Sequence, residues 1–307
     1  MRALVTGAAG FVGANIACAL AKAGHSVAGL DDFSVGNFEN LRGFAGDVVA
    51  ADVSRPEDWG RRVGKVEAVF HEAAITDTTV TDQMRMMRVN VEAFRDLLDW
   101  AAQSRVKTVV YATSAATYGD GPTPMREDAA LKPLNIYAYS KAVMEVVAAQ
   151  ARKKHPELRV VGLRYFNVFG PREKFKGAAA SMIWQLSQQM LAGRNPRVFE
   201  FGEQCRDFIY VKDVVSANLK ALESAPSGVY NACTGRKTTF NDIIAALNSV
   251  LGKDLKTEYF KNPYSFYQNE TLGDPSAAEK AFGFKAAFTT AAGIEDYMRE
   301  VGLAKAR

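Results

Sequence analysis

Ala3-Leu4-Val5-Thr6-Gly7-Ala8-Ala9-Gly10-Phe11-Val12-Gly13 decides how the rest of this chain is read. A short apolar run without helical period gives way to three glycines spaced by three, and a helical pattern follows through Asn15-Ile16-Ala17-Cys18-Ala19-Leu20-Ala21-Lys22. The order is strand, glycine turn, helix. Gly7 permits a tight turn, Gly10 lets backbone amides approach a pyrophosphate, and Gly13 lets the helix lie close against the strand. The helix N-terminus then points its unpaired amides at phosphate.

Working outward, Gly24 ends the helix and His25-Ser26-Val27-Ala28-Gly29-Leu30 reads as a second strand closed by Asp31-Asp32. An acid about 20 residues beyond the turn accepts hydrogen bonds from ribose hydroxyls and repels a 2′-phosphate, which favours NAD over NADP. The same beat continues. Asp47 to Asp52 and Val66 to His71 read as strands, the latter running into the loop Glu72-Ala73-Ala74-Ile75-Thr76. A long periodic helix is expected from about Asp82 to Ala102, and Lys107 to Ala112 is the next strand. Strands alternating with helices indicate an α/β fold, a doubly wound parallel (Rossmann) sheet that binds ligands beyond the carboxyl ends of its strands.

Ser114 stands at one of those strand ends, and Tyr137-Ala138-Tyr139-Ser140-Lys141 follows on a helix beyond Pro122 and Pro124. Residues four apart share a helix face, so the Tyr137 phenol and the Lys141 ammonium can enter one pocket. There the ammonium is expected to lower the tyrosine pKa towards that of a working base, with Ser114 holding a substrate hydroxyl. A hydroxyl, a phenol and an ammonium beside a nicotinamide suit hydride transfer at a carbinol. Beyond Arg164-Tyr165-Phe166 the beat breaks at Glu173-Lys174-Phe175-Lys176-Gly177, and a helix is expected from about Ala178 to Ala192. Short strands are expected at 196–201, 206–211, 228–232 and 255–260, with helices at 213–223 and 240–251. The organisation expected is an NAD-binding domain over residues 1–166 and a smaller α/β substrate domain over 167–307, interleaved with the last sheet strands.

Composition narrows the function classes. Thirty-eight Lys and Arg against 34 Asp and Glu leave a formal charge of +4 without a basic run, which argues against a nucleic acid partner. Apolar runs are too short for a bilayer and the first residues lack a signal-peptide layout, so a cytoplasmic enzyme with no membrane partner is expected. Cys18, Cys205 and Cys233 are scattered, and only three histidines are present, so no metal site is expected and the cofactor is organic.

The glycine turn, Ser114 to Gly119, Tyr137 to Lys141 and Arg164-Tyr165-Phe166-Asn167-Val168-Phe169-Gly170-Pro171-Arg172 together resemble the extended short-chain dehydrogenase/reductase superfamily, in particular its NAD-dependent nucleotide-sugar epimerases. Within these, His71 to Thr79, Lys132 to Tyr137 and Gly170 to Gly177 are similar to ADP-L-glycero-D-manno-heptose 6-epimerases, which use a lysine at the place of Lys176 as a second base. The resemblance implies that Gly7, Gly10, Phe11, Val12, Gly13, Asp31, Asp32, Asp52, Val53, Glu72, Ala73, Ala74, Thr76, Asn90, Tyr137, Lys141 and Val168 contact the dinucleotide. Ser114, Tyr137, Lys141 and Lys176 would do the chemistry, and Ser114, Asn167, Gln185, Phe199, Arg206 and Tyr267 would hold the nucleotide sugar. It also implies a homo-oligomer. The chain departs from that subfamily at Ala178 and Gln185, where serine and histidine are common. Phe38 stands near the place of a lysine found in NADP-using members, and Asp31 to Asn37 is as similar to UDP-sugar 4-epimerases. A net dehydrogenase or dehydratase is a further alternative, although Ala115-Ala116 replace the Asp-Glu pair of dehydratases.

Overall fold

In a computed structural model, which describes residues 1–78, 80–261 and 270–305, β1 (Arg2–Thr6) is an interior strand of a seven-stranded sheet. Its neighbours are β2 (Ser26–Asp31) and β4 (Ala68–His71), and the order runs β11-β6-β5-β4-β1-β2-β3 with every pairing parallel. The other members are β3 (Asp47–Ala50), β5 (Thr108–Ser114), β6 (Arg159–Tyr165) and β11 (Gly228–Ala232).

Alternation along each strand sorts side chains between two layers. Ala3, Val5, Phe70, Val110 and Leu163 face a core closed by α1 (Phe11–Lys22) and α7 (Val211–Ser224). Leu4, Val69, Val109 and Val160 face the opposite core, closed by α2 (Pro56–Val63), α4 (Ala93–Gln103) and α5 (Ile136–Lys154). This is the doubly wound parallel sheet expected from the sequence.

The expected helix from Asp82 to Ala102 is a rod in three pieces: α3 (Gln83–Met87), a π-helical turn over Arg88–Glu92, and α4. The helix expected from Ala178 starts later, as α6 (Met182–Leu191). Ala180 and Ser181 are extended (ψ 157° and 153°), so the 3-10 segment Lys174–Ala179, itself kinked at Gly177 (φ +56°), stays separate and Ser181 caps α6.

A further core gathers Phe169, Ile183, Leu186, Phe208, Tyr210, Phe240, Leu247, Ile294 and Tyr297. They come from β7 (Asn167–Phe169), α6, β10 (Phe208–Tyr210), α8 (Phe240–Leu251) and α10 (Thr290–Glu300). Between lie three two-stranded ribbons: β7 with β10, β9 (Cys205–Arg206) with β12 (Thr238–Thr239), and β8 (Arg197–Phe199) with β13 (Glu258–Phe260). After β10 the chain returns to the sheet as α7 and β11, and α9 (Ser276–Phe282) packs on both. No helix among the described residues is long and apolar enough to cross a membrane.

Candidate active site

The glycine turn sits where the chain order reverses across the sheet, β2 on one side of β1 and β4 on the other, the crevice in which such sheets take ligands. Gly7 has φ +65°, and a Cβ there would lie 2.8 Å from Ala73 N. A Cβ on Gly13 would lie 2.1 Å from Gly7 O. Backbone therefore touches backbone at both positions, as a pyrophosphate cradle requires. Gly10 is the N-cap of α1 and supplies no side-chain cap, so the first-turn amides, at Phe11 and Val12, stay available to an anion.

Asp31, 8% exposed at the end of β2, accepts from Ala9 N (2.9 Å) and Phe33 N (2.8 Å). Burial pushes its carboxyl above the ordinary range against the pull of those amides. Asp32 is placed differently: it is exposed and folded onto Ser34 N and Oγ, away from the glycine turn that Asp31 holds. Beyond β3, Asp52 closes a turn onto Ser54 N, and Val53 is buried.

The loop after β4 forms the other wall. Asn90, 0% exposed in the π-helical turn, accepts from Ile75 N (2.8 Å) and donates to Ile75 O (3.0 Å) and Ser140 Oγ (2.9 Å). Its amide is thus spent inside the protein. Asn90 holds the loop of Glu72, Ala73, Ala74 and Thr76 from behind, and its effect on a bound dinucleotide runs through that loop. π-helical turns are frequent at functional sites, and this one turns Asn90 inward.

Ser114 ends β5 and accepts from Ala116 N (3.1 Å). The Tyr137 phenol, brought over by the first turn of α5, lies beside it. Lys141, one turn on and 2% exposed, donates to Ala112 O (2.8 Å). The sequence expectation for the phenol needs correction here. Among the protein's own groups burial and Glu72 raise the Tyr137 pKa and only Ser114 lowers it, because the Lys141 ammonium is turned to a carbonyl. Lys141 itself is brought down to about 8 by burial, opposed by Glu72.

Two neighbours complete this centre. Glu72 Oε1 accepts from Tyr165 Oη (2.8 Å), which accepts from Asn218 Nδ2 (2.8 Å). Burial pushes the Glu72 carboxyl up to about 8, against the pull of Tyr165 and Lys141. His71 is bonded through Nδ1 to Thr6 Oγ1 (2.9 Å), and burial, with Lys141 beside it, brings it down to about 3, so it is neutral. Tyr165 and Asn218 carried no assignment from sequence. Tyr165 meets Ser114 in the β5–β6 register, and only the strand order reveals it.

Lys176 enters from the second core. Its Nζ lies 5.7 Å from the centroid of the Phe11 ring, and burial lowers its pKa while Glu173 raises it. Asn167 donates through Nδ2 to Asp207 O and Thr271 Oγ1, beside the half-buried Val168. Gln185 donates to Ala178 O and Ala180 O, closing the turn before α6. Phe199 packs edge-on against Phe260, and Arg206 donates to Cys205 O from β9. Tyr267 lies outside the described residues.

This cradle, with a Ser-Tyr-Lys set at the carboxyl edge of the sheet, is matched by a family model, NAD dependent epimerase/dehydratase, over residues 3–233. The chain belongs to that family. Among solved structures, the epimerase/dehydratase fold here is similar to ADP-L-glycero-D-manno-heptose-6-epimerase of Helicobacter pylori, at 37% identity over 98% of this chain and 96% of that one (TM-score 0.90). It is also similar to UDP-glucose 4-epimerase of Thermotoga maritima, at 28% identity over 98% and 99% (TM-score 0.90). UDP-N-acetylglucosamine 4-epimerase of Methanobrevibacter ruminantium matches at 29% identity over 97% of each chain (TM-score 0.91). The protein is an NAD-dependent enzyme of the nucleotide-sugar epimerase type.

Proposed function

We propose that this chain interconverts ADP-D-glycero-D-manno-heptose and ADP-L-glycero-D-manno-heptose by a redox-neutral, two-base reaction. The observation that carries the proposal is Lys176, a half-buried lysine whose ammonium lies over Phe11 of the glycine turn. The greater identity to a heptose epimerase than to the UDP-sugar enzymes supports it.

Gly7, Gly10, Gly13 and the first-turn amides of α1 would hold the pyrophosphate, and Asp31 the adenosine ribose, its carboxylate disfavouring a 2′-phosphate. Bound nicotinamide supplies the hydride acceptor and, on return, the hydride donor. Ser114 orients the reacting hydroxyl, and Tyr137 removes its proton. Lys141, anchored on Ala112 O one turn along α5, would orient the cofactor. The keto sugar then presents its other face, and the new hydroxyl occupies a different position. Lys176 would serve that second position, giving its ammonium proton to the new hydroxyl as the hydride returns and, in the reverse direction, taking that proton as the neutral amine, the form burial favours. Arg206 pairs with a phosphate of the nucleotide sugar.

Lys176→Ala is expected to abolish epimerisation of ADP-heptose, followed by NMR of the product, while NAD stays bound through gel filtration. Turnover near that of the unmodified enzyme ends the two-base reading. A single-base 4-epimerisation of a UDP-sugar is the second reading, favoured by the UDP-sugar epimerases of equal structural likeness. Incubation with ADP-D-glycero-D-manno-heptose, UDP-glucose and UDP-N-acetylglucosamine separates the two, and stoichiometric NADH release rules out both.

A further inference from the structure

Tyr137 and Lys141 are followed on the same face of α5 by Glu145, one more step of four along the helix and without a part in the reaction described above. Arg164 of β6 grips its carboxylate with a two-pronged fork: Nε donates to Oε1 (2.9 Å) and Nη2 to Oε2 (2.7 Å). The Arg164 and Glu145 side chains are only 5% and 9% exposed. Thr113 of β5, opposite Arg164 in the β5–β6 register, donates to the same Oε1 (2.8 Å). The next pair in that register is Ser114 and Tyr165, so this ion pair closes one residue short of the hydroxyl at the reacting centre.

Arg164 has a second hold. Its Nη1 donates to Tyr118 Oη (2.7 Å), and its guanidinium lies 4.7 Å from the centroid of the Tyr118 ring. Tyr118 ends the 3-10 turn Ala115–Tyr118 that Ser114 caps, and Thr117 Oγ1 of that turn donates to Ser114 O (2.8 Å). The Tyr118 hydroxyl in turn donates to Asn231 Oδ1 of β11 (2.8 Å), and Asn231 Nδ2 donates to Met125 O (3.0 Å). With one bond accepted and one donated, that hydroxyl is fixed from both sides. One guanidinium, rooted in a strand of the sheet, therefore grips α5 through Glu145 and the Ser114 turn through Tyr118.

We propose that Arg164 and Glu145 are positioning residues of the reacting centre, a buried clamp that sets the Tyr137 phenol of α5 against the Ser114 hydroxyl of its turn. Both act through the elements that carry Ser114 and Tyr137. The proposal rests on the reading of Ser114 and Tyr137 as the groups at the carbinol, and it is the same for either nucleotide sugar. The planar fork matters, because a lysine ammonium is a single point of charge and cannot span two carboxylate oxygens and a phenol together. A misplacement of about 1 Å at such a centre costs on the order of a hundredfold in rate. Removing one member of a buried ion pair strands the other charge, whereas replacing both by apolar side chains of similar volume commonly leaves stability little changed, which separates position from stability.

The test is the double variant Glu145→Met/Arg164→Met, which removes the clamp without stranding a charge. With 3-fluorotyrosine incorporated, the Tyr137 resonance, assigned by its loss in Tyr137→Phe, is followed by fluorine NMR in the NAD-bound enzyme. It is expected to move in the double variant and to stay in place in Val147→Ala, which thins the buried face of the same helix and leaves the clamp intact. Turnover is measured with whichever of ADP-D-glycero-D-manno-heptose, UDP-glucose and UDP-N-acetylglucosamine the unmodified enzyme epimerises. In the double variant kcat per NAD-bound enzyme is expected to fall about a hundredfold with KM unchanged. An unmoved resonance, an equal movement in Val147→Ala, or an unchanged kcat overturns the proposal. Should the double variant fail to fold, Arg164→Lys, which keeps the charge without the fork, must move the same resonance, and an unmoved one overturns the proposal as well. The NMR measurement needs no substrate, so full turnover by Tyr137→Phe would end the reading of Tyr137 as the base and leave the clamp standing.

Discussion

At the scale of single residues, the centre is built from groups whose burial opposes their charge. Glu72 is raised from the usual carboxyl range to about 8 by burial, and Lys141 is lowered to about 8 by the same cause. A carboxyl with a raised folded pKa contributes stability that is fully present below its unfolded value, near 4.5, and lost as pH rises through about 8. A lysine with a depressed folded pKa contributes stability that is present above 10.5 and lost as pH falls through about 8. These two groups together therefore place a stability minimum near pH 8. Glu72→Gln removes the first contribution and can still accept from Tyr165. Its melting temperature, followed by calorimetry, is expected to gain on that of the unmodified protein as pH rises from 5 to 8. A difference that stays constant over that interval contradicts the ionisation assigned to Glu72.

At the scale of elements, the contact between β1, the glycine turn and α1 is a tight constraint on the site. A Cβ on Gly13 would meet Gly7 O, Gly7 C and Ala8 Cα, all backbone and none able to swing aside. Gly13→Ala is therefore expected to push α1 off β1, with a stability loss of about 1–3 kcal/mol in denaturant unfolding and no NAD retained on gel filtration. Retention at the ordinary level would mean that the close approach is not what shapes the cradle. This element was legible in sequence because its cause is local: three glycines at fixed spacing between an apolar run and an amphipathic one. The strand beat and the helix over Phe240–Leu251 were legible for the same reason. The inward bonding of Asn90, expected only as a dinucleotide contact, and the burial of Glu173 were not. A π-helical turn leaves no mark in hydrophobic periodicity, and the Glu173 carboxyl shows its place only once Gly170 N and Ser181 N are seen to donate to it. The helix expected from Ala178 starts four residues late, at Met182, because Ala180 and Ser181 are extended and Ser181 supplies the cap.

At the scale of the whole molecule, the glycine turn lies on the seam between the sheet's core and the second core. Val12 and Val168 pack against both, Phe11 belongs to the second, and Ile16 to Leu20 of the same helix belong to the first. Arg172 stitches across that seam to Asn40 O and Asn15 Oδ1, and α7, β11 and α9 return the chain to the sheet. The halves expected as separate domains are thus joined where NAD would bind. A ligand that binds only the folded state stabilises it by RT ln(1 + [L]/Kd), about 2.7 kcal/mol at a hundredfold excess over Kd. Stripping NAD is therefore expected to lower one calorimetric transition as a unit, because neither half can keep its side of the seam alone. Two transitions, with only the earlier one sensitive to NAD, would show that the cofactor braces the sheet and not the junction. Lys176→Ala, which removes a side chain from the seam without altering the glycine turn, should keep the full NAD-dependent shift.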